Sequence, residues 1–316
     1  ENMMRKLLLG FVVIVLLCVS GVVVFLSKGK NLGERHQDYA EADFPYDTSN
    51  FADYINYSRE RIGSARVDAL DTREFENLLP FALEPDASCP RTAEGKAEQG
   101  IVLIHGLFES GYSMQPLGKF LQSQCFYVLG LLLPDHASRP GDFLSTDWQE
   151  WVQAAHFATQ QLALHAEKIL VSGHSTGGAL AILEGAQNAE VDALILFAPA
   201  LAVTPAAKYA RFVVPLGKLF SKAAWVEVEP DAAVYRYESI TFTAASEIYS
   251  LIQAVHAAEN SRVQSLPVLT IVSLQDNTVN TPTTLEFMQR NTNAASHTLL
   301  YSQHPYPGNE RMTVVP

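Results

Sequence analysis

The chain has 316 residues, 48% of them hydrophobic and 10% aromatic, which excludes a disordered or low-complexity protein. Its 34 acidic side chains outnumber its 22 lysines and arginines, and the formal net charge is −12. Because nucleic-acid backbones are also anionic, we exclude a DNA- or RNA-binding protein. The length fits one large domain or two modest ones, with enough chain to bury a sizeable core.

The first feature along the chain is an uncharged run of twenty residues, from Leu7 to Leu26. As a helix it would be ~30 Å long, the thickness of a bilayer's hydrocarbon core. Secretory signal peptides have a shorter apolar region and a small-residue cleavage site, and no such site follows Leu26. We therefore expect residues 1–27 to be an uncleaved signal anchor with a transmembrane span over 7–26, which makes the bilayer a predicted partner.

The orientation of this anchor is nearly balanced by charge. Two cations precede the run and three follow it at Lys28, Lys30 and Arg35. We favour a cytoplasmic N-terminus, because in the other orientation the six-residue tail would have to cross. The expected location is then a bacterial inner membrane, with the catalytic domain on the periplasmic side. Residues 28–60, polar and irregular at first, are expected to be a tether.

The cysteines leave two interpretations open. Cys18 lies in the uncharged run, and Cys89 and Cys125 remain. They form either a disulfide in an oxidising compartment or two separate buried thiols. No spacing of Cys or His is typical of a metal site, and we expect neither a metal nor a cofactor.

From Gly100 onward, short apolar runs alternate with helical segments. This alternation predicts βαβ units and an α/β fold, a mostly parallel sheet with helices on both faces. The predicted strands are 101–104, 126–133, 168–171, 191–197, 267–274 and 297–301, and the predicted helices are 146–166 and 177–186. The alternation lapses in the middle, so we expect a core over 61–199 and 267–316 with an inserted helical cap over 200–266.

The strongest motif is Gly173-His-Ser-Thr-Gly177, which matches G-x-S-x-G between a predicted strand and a predicted helix. Such a turn is tight, and glycine tolerates the crowding on both sides of the serine. It would raise the Ser175 hydroxyl above the carboxyl edge of the sheet, as a nucleophile requires. The alternative is a glycine-rich turn with an incidental serine.

Acyl transfer also needs amide donors for the oxyanion. We assign the backbone N–H groups of Thr176, next to Ser175, and Leu107, in the loop after the first core strand. His105 in the same loop could contribute a side chain that merely orders the turn.

The base and its orienting acid should follow in the order Ser, Asp, His. Asp276 directly follows a predicted strand, although it could be a turn residue. His297 would open the last strand and lie at its wrong end, so His304 is the candidate base. No helical pattern follows it to cover the sheet, and a histidine beyond Pro316 is the alternative.

Three segments, Gly173-His-Ser-Thr-Gly-Gly178, His105-Gly-Leu-Phe-Glu-Ser-Gly-Tyr-Ser113 and Asp276-Asn-Thr-Val279, together resemble the α/β-hydrolase superfamily. The branch is similar to bacterial lipases and esterases related to monoacylglycerol lipase and serine aminopeptidases. The resemblance runs from about Phe81 to Tyr301 and implies a Ser-Asp-His triad, a two-amide oxyanion hole, a cap and no cofactor. Ser175, Asp276, Leu107 and Thr176 match the family pattern, whereas Gln303-His304-Pro305 departs from it.

The cap contains a basic amphipathic segment over 207–222, where aromatic and aliphatic residues alternate with four cations. Two interpretations fit: a solvated face whose apolar side packs on the core, favoured by the sequence, or a surface that docks on anionic headgroups.

These patterns predict a membrane-anchored serine hydrolase that cleaves carboxylic esters, with lipid-like esters such as monoacylglycerols or lysophospholipids as partners. The alternative, from another class, is a catalytically silent hydrolase fold that serves as a binding or assembly subunit at the membrane.

Overall fold

The centre of the molecule is an eight-stranded, mostly parallel sheet. The computed structural model describes residues 2–39, 44–258 and 262–316. Its strands are β1 (Phe81–Leu83), β2 (Ala97–Ile104), β3 (Tyr127–Leu131), β4 (Ala166–His174), β5 (Val191–Phe197), β6 (Trp225–Glu227), β7 (Ile240–Thr241), β8 (Val268–Ser273), β9 (His297–Tyr301) and β10 (Met312–Val315). Its α-helices are α1 (Asn2–Ser27), α2 (Phe51–Ala65), α3 (Thr72–Leu78), α4 (Gln115–Ser123), α5 (Trp148–Ala163), α6 (Thr176–Gln187), α7 (Ala210–Leu219), α8 (Phe242–Ala257) and α9 (Thr281–Asn291).

The order of strands in this sheet is β1-β3-β2-β4-β5-β8-β9-β10, and β1 is antiparallel to β3 while the other pairs are parallel. The register aligns the carboxyl ends of neighbouring strands, with Ile104 beside Gly173 and Gly173 beside Leu196. Loops that leave β2 and β4 therefore start side by side at one edge. The six strands predicted from apolar runs are all present.

Helices cover the sheet on both faces because alternate residues of the strands are buried on opposite sides. In β2, Val102 and Ile104 belong to the main core cluster with residues of α5 and α6, whereas Ile101 and Leu103 pack with Met114 near α4. Each fully buried side chain of this size contributes about 1.5–3 kcal/mol relative to exposure. Residues 101–104 of β2 are all buried, and burial on both faces is the physical reason that such an apolar run predicts a covered parallel strand.

The segment expected to be a tether over 28–60 differs in the structure. Residues 51–65 form α2, whose start is capped by Asn50, which accepts a hydrogen bond from the N–H of Asp53 at 3.0 Å. Phe51 and Tyr54, on one face of this helix, are buried in the main core. Polar residues occupy most of the positions between the buried residues of α2, and they obscure its helical spacing in the sequence.

The cap expected over 200–266 is also smaller in the structure. Helix α8 buries Ile248, Leu251 and Val255 in the same core cluster as Leu180 of α6. It therefore belongs to the helical layer that covers the sheet. The cap itself is therefore limited to residues before α8, and it contains α7 and the small antiparallel pair of β6 and β7.

The sheet ends with a strand that the sequence pattern did not predict. Strand β10 pairs in parallel with β9, and Met312 lies beside Thr298. Its four residues are too few for a periodicity to be recognised.

At the N-terminus, the uncharged run lies within α1. Across the residues that the structure describes, none of the helices is both long enough and apolar enough to cross a bilayer. The transmembrane span over 7–26 therefore stays a prediction from the sequence.

The two cysteines of the folded body are paired. Cys89 precedes β2, Cys125 precedes β3, and a disulfide joins them with their Cα atoms 5.5 Å apart. Of the two interpretations left open by the sequence, the structure supports the disulfide.

Candidate active site

Ser175 occupies a strained turn between β4 and α6. Its φ of 52° and ψ of −113° lie outside the usual regions for a side-chain-bearing residue, at a cost of about 1–3 kcal/mol. The turn is held by the N–H of Ser175, which donates to the carbonyl of Phe197 at 2.9 Å. The carbonyl of Ser175 accepts from the N–H groups of Gly178 at 3.0 Å and Ala200 at 2.9 Å. These bonds fix the serine at the N-terminus of α6.

The glycines on either side of Ser175 are required by close backbone approach. A Cβ at Gly173 would lie 2.0 Å from the carbonyl oxygen of Gly177. A Cβ at Gly177 would lie 2.2 Å from the carbonyl oxygen of Ile104, at the end of β2. The crowding expected from the motif is therefore present, and it presses the turn against the neighbouring strand.

The loop after β2 is ordered by the buried side chain of His105. Its Nδ1 lies 2.8 Å from the carbonyl oxygen of Gly106, which can only accept, so Nδ1 carries the proton. Its Nε2 accepts from the N–H of Leu133 at 3.0 Å. Burial lowers the pKa of His105 to about 4, and the ring is neutral near pH 7. The structure supports the interpretation that this side chain orders the turn.

The same loop supplies the first candidate oxyanion donor. Leu107 is half-buried, and Phe108 beside it has a φ of 65°. The carbonyl of Phe108 accepts from the N–H of Tyr237 at 3.0 Å, which ties the loop to the segment between β5 and α8. Thr176, the second candidate donor, is the buried first residue of α6. Within the described chain, neither the Leu107 nor the Thr176 N–H donates a hydrogen bond.

A carboxylate that the sequence analysis missed links this loop to the nucleophile turn. Glu109 Oε2 accepts from the N–H of Gly106 at 3.1 Å, and Glu109 Oε1 lies 3.3 Å from Nδ1 of His174. Burial alone would raise the pKa of Glu109, but the hydrogen bond and charge of His174 and the amide of Gly106 outweigh it and lower the pKa to about 2. Glu109 and His174 come from separate motifs, and neither motif alone predicts their contact.

Asp276 lies in the loop that follows β8, at the edge of the sheet to which Ser175 also belongs. Its Oδ1 accepts from the N–H groups of Thr278 and Val279, both at 2.8 Å. Asp276 therefore does cap a turn, which was the alternative role considered for it from the sequence. Within the residues that the structure describes, Oδ2 has no hydrogen-bond donor, so one oxygen is available to an imidazole.

The candidate base His304 lies in the loop after β9. Its side chain is exposed, and among the described residues no hydrogen bond joins its ring to Ser175 or Asp276. The neighbouring Gln303 donates from its N–H to Oε1 of Gln275 at 3.3 Å, so this loop lies against the loop of Asp276. His297 opens β9, as expected from the sequence, and its Nε2 lies 2.8 Å from Thr313 Oγ1.

The structure thus brings Ser175, Leu107, Asp276 and His304 to the carboxyl ends of β4, β2, β8 and β9, which are parallel. A serine at a strained strand-to-helix turn, at this edge of a parallel sheet, defines a serine hydrolase of the α/β-hydrolase type. The model of the Hydrolase_4 family, described as serine aminopeptidase S33, matches residues 95–304. The chain belongs to this family of hydrolases, and the predicted superfamily is confirmed.

Solved structures show the same fold. A monoacylglycerol lipase of Paleococcus ferrophilus is 18% identical with a TM-score of 0.55, covering 71% of this chain and 88% of its own. A soluble variant of the Saccharomyces cerevisiae monoglyceride lipase is 15% identical with a TM-score of 0.54, covering 71% and 82%. The metagenome-derived lipolytic enzymes LipS and LipT are represented by a chain 17% identical with a TM-score of 0.55, covering 71% and 86%. No curated protein matches the sequence.

Proposed function

We propose that this protein hydrolyses carboxylic esters, with lipid-like esters such as monoacylglycerols or lysophospholipids as substrates. The observation that carries the proposal is the strained Ser175 at the start of α6, beside a loop whose Leu107 amide has no partner among the described residues. Several structures with the same fold are lipases, and a carboxylic ester is the substrate that we propose by analogy with them.

In the proposed reaction the Ser175 hydroxyl attacks the ester carbonyl and a histidine accepts its proton. The developing oxyanion receives hydrogen bonds from the N–H groups of Leu107 and Thr176, the latter strengthened by the dipole of α6. The protonated histidine then donates to the leaving alcohol. Water, deprotonated by the same histidine, attacks the acyl-enzyme and releases the acid and the serine.

We assign the base to His304 and its orientation to the free oxygen of Asp276. The hydrogen bond between Gln303 and Gln275 supports this assignment because it keeps the two loops adjacent. The ring of His304 has to turn toward Asp276 to act, and hydrogen bonds of catalytic groups are commonly looser before substrate binds.

The proposed setting is the periplasmic side of a bacterial inner membrane, with residues 7–26 as the anchor. The uncharged run and the disulfide between Cys89 and Cys125 support it, because disulfides persist in oxidising compartments. Extraction of membranes with alkaline carbonate tests the anchor: an integral protein stays with the bilayer, and release into the soluble fraction contradicts it.

The alternative is a silent hydrolase fold that acts as a binding subunit. The observation that favours it is the exposed ring of His304, which forms no hydrogen bond with Asp276 in the described chain.

Labelling of the detergent-solubilised full chain with a fluorophosphonate probe separates the two functions. Wild-type protein should label, and Ser175→Ala should not. Ser123→Ala, which alters an exposed serine at the end of α4, should label like wild type. His304→Ala should slow labelling by about 10²–10⁴-fold. Wild-type protein that is folded but unlabelled would support the binding subunit.

A further inference from the structure

Helix α7 and its flanking turns carry an unusual concentration of positive charge. Lys208, Arg211, Lys218 and Lys222 are all exposed. The sequence has no Asp or Glu between Asp192 and Glu227, although the whole chain has a net charge of −12. This segment is therefore a basic surface on an acidic protein.

The large apolar side chains of the same segment are exposed as well. Relative exposure is 58% for Tyr209, 67% for Phe212 and 77% for Leu219. Phe212 and Leu219 are seven residues apart, and so are Arg211 and Lys218, so an apolar stripe and a basic stripe run side by side along the helix. Two of the cations form cation–π contacts with these rings. The Lys208 ammonium lies 4.8 Å from the centre of the Tyr209 ring, and the Arg211 guanidinium lies 4.8 Å from that of Phe212.

Small residues hold the helix to the protein. Ala210 and Gly217 are the buried residues of α7, and a Cβ at Gly217 would lie 2.7 Å from the Cα of Ala224. The apolar side chains of the segment are therefore divided: Val213 and Leu216 are half-buried, in agreement with the interpretation favoured by the sequence, whereas Phe212 is exposed and departs from it. We call the exposed side of residues 208–222 the cap face.

We propose that the cap face docks on the surface of an anionic lipid bilayer. Aromatic and aliphatic side chains of an amphipathic helix enter the boundary between headgroups and acyl chains, while flanking cations bind anionic headgroups. The cap face presents both groups on one side of one helix, and its charge is complementary to that surface. Each cation near such a surface raises the affinity by about fivefold.

Contacts from the N-terminal segment support this orientation. After α1, Lys30 Nζ donates a hydrogen bond to the carbonyl of Trp225, and the ring of His36 meets the Trp225 ring edge-on with centroids 5.1 Å apart. Arg35 forms an ion pair with Asp231. The chain that leaves α1 thereby contacts residues 225–231, which directly follow the cap face, so the end of α1 and the cap face lie close together.

Hydrogen exchange of the full chain in lipid nanodiscs tests the proposal. We compare discs of phosphatidylcholine alone with discs that also contain phosphatidylglycerol. Exchange of the α7 amides should slow by about tenfold or more in the anionic discs, and the double variant Arg211→Glu, Lys218→Glu should lose this protection. The same loss is expected for Phe212→Ser with Leu219→Ser.

The control is Lys119→Glu with Phe120→Ser on α4, an adjacent cation and aromatic that are also exposed. It should keep the protection. Hydrolysis of a short water-soluble ester and fluorophosphonate labelling should be unchanged in all these variants, which separates this proposal from the proposed function.

Three results would overturn the proposal. The first is equal exchange of α7 in the two kinds of disc. The second is protection that survives in Arg211→Glu, Lys218→Glu. The third is protection that follows protein concentration rather than lipid, which would indicate that the cap face binds the acidic body of a second copy.

Discussion

The disulfide between Cys89 and Cys125 makes a quantitative prediction about stability. The two residues are separated by 36 positions, and the link closes the loop that contains β2 and α4. In the chain-entropy description, a link across about 36 residues removes conformational freedom from the unfolded chain worth about 3.8 kcal/mol at 25 °C. Since domains are commonly stable by only about 5–15 kcal/mol, removal of the link should cost a large part of the total.

The perturbation is Cys89→Ala with Cys125→Ala, made in a Cys18→Ala background so that no other thiol exchanges. Urea unfolding in detergent, followed by circular dichroism, should give a free energy of unfolding lower by about 2–4 kcal/mol than that of the oxidised parent. Reduced parent protein is the matched control and should resemble the double variant. Cys89 is 8% exposed, so its replacement adds a small packing loss.

A loss below about 1 kcal/mol would refute the reasoning, because it would mean that the unfolded chain gains little freedom when the link is absent. Titration of the denatured, unreduced Cys18→Ala protein with a thiol reagent should find no free thiol. Two free thiols would show that the pair does not form in the cell, and would also remove support for a periplasmic location.

Three further predictions concern the site. The pKa of His105 is about 4 in the folded protein, below the usual 6.5, so the unfolded chain binds this proton more readily. The free energy of unfolding therefore carries no penalty from His105 above pH 6.5, and it is lower by about 3 kcal/mol at pH 4. The stability gap between wild type and His105→Gln should therefore narrow as pH falls through this range in urea titrations, and a constant gap would contradict the assignment. Gly177→Ala should lose fluorophosphonate labelling and cost more than about 3 kcal/mol, because its Cβ would lie 2.2 Å from a backbone oxygen. Gly63→Ala, whose Cβ would lie 3.9 Å from the Phe75 ring, should behave like wild type, and equal effects at both positions would count against the crowded elbow. Glu109→Gln keeps an acceptor for the Gly106 amide but loses the charge beside His174, so kcat should fall about tenfold with KM unchanged, and Glu109→Ala about 100-fold. A change confined to KM would contradict a role in holding the oxyanion loop.

The sheet and the nucleophile turn could be predicted because both depend on residues that are neighbours in the sequence. Residues 193–197 of β5 are a continuous apolar run, and the glycines around Ser175 reflect the close backbone contacts of this turn. Local patterns of this kind can be recognised without knowledge of the rest of the fold.

The missed features depend on residues that are distant in the chain. The contact of Glu109 with His174 joins two loops that meet only because β2 and β4 are neighbours in the sheet. The burial of Phe51 in α2 follows from the core beneath it, since α2 alone has a largely polar sequence. The position of the His304 ring depends on a loop that contains two prolines and has no periodic pattern.

The hydrogen bond from the N–H of Tyr237 to the carbonyl of Phe108 joins two segments that are distant in the sequence. Tyr237 lies between β6 and β7, whereas Phe108 follows the proposed oxyanion donor Leu107. We expect an ester too large for the closed site to displace the Tyr237 segment and stretch this bond, at a cost of about 1 kcal/mol, which would disturb the loop that stabilises the transition state. Re-closure of the segment should then limit turnover for large esters, and solvent viscosity should slow their hydrolysis but not that of small esters.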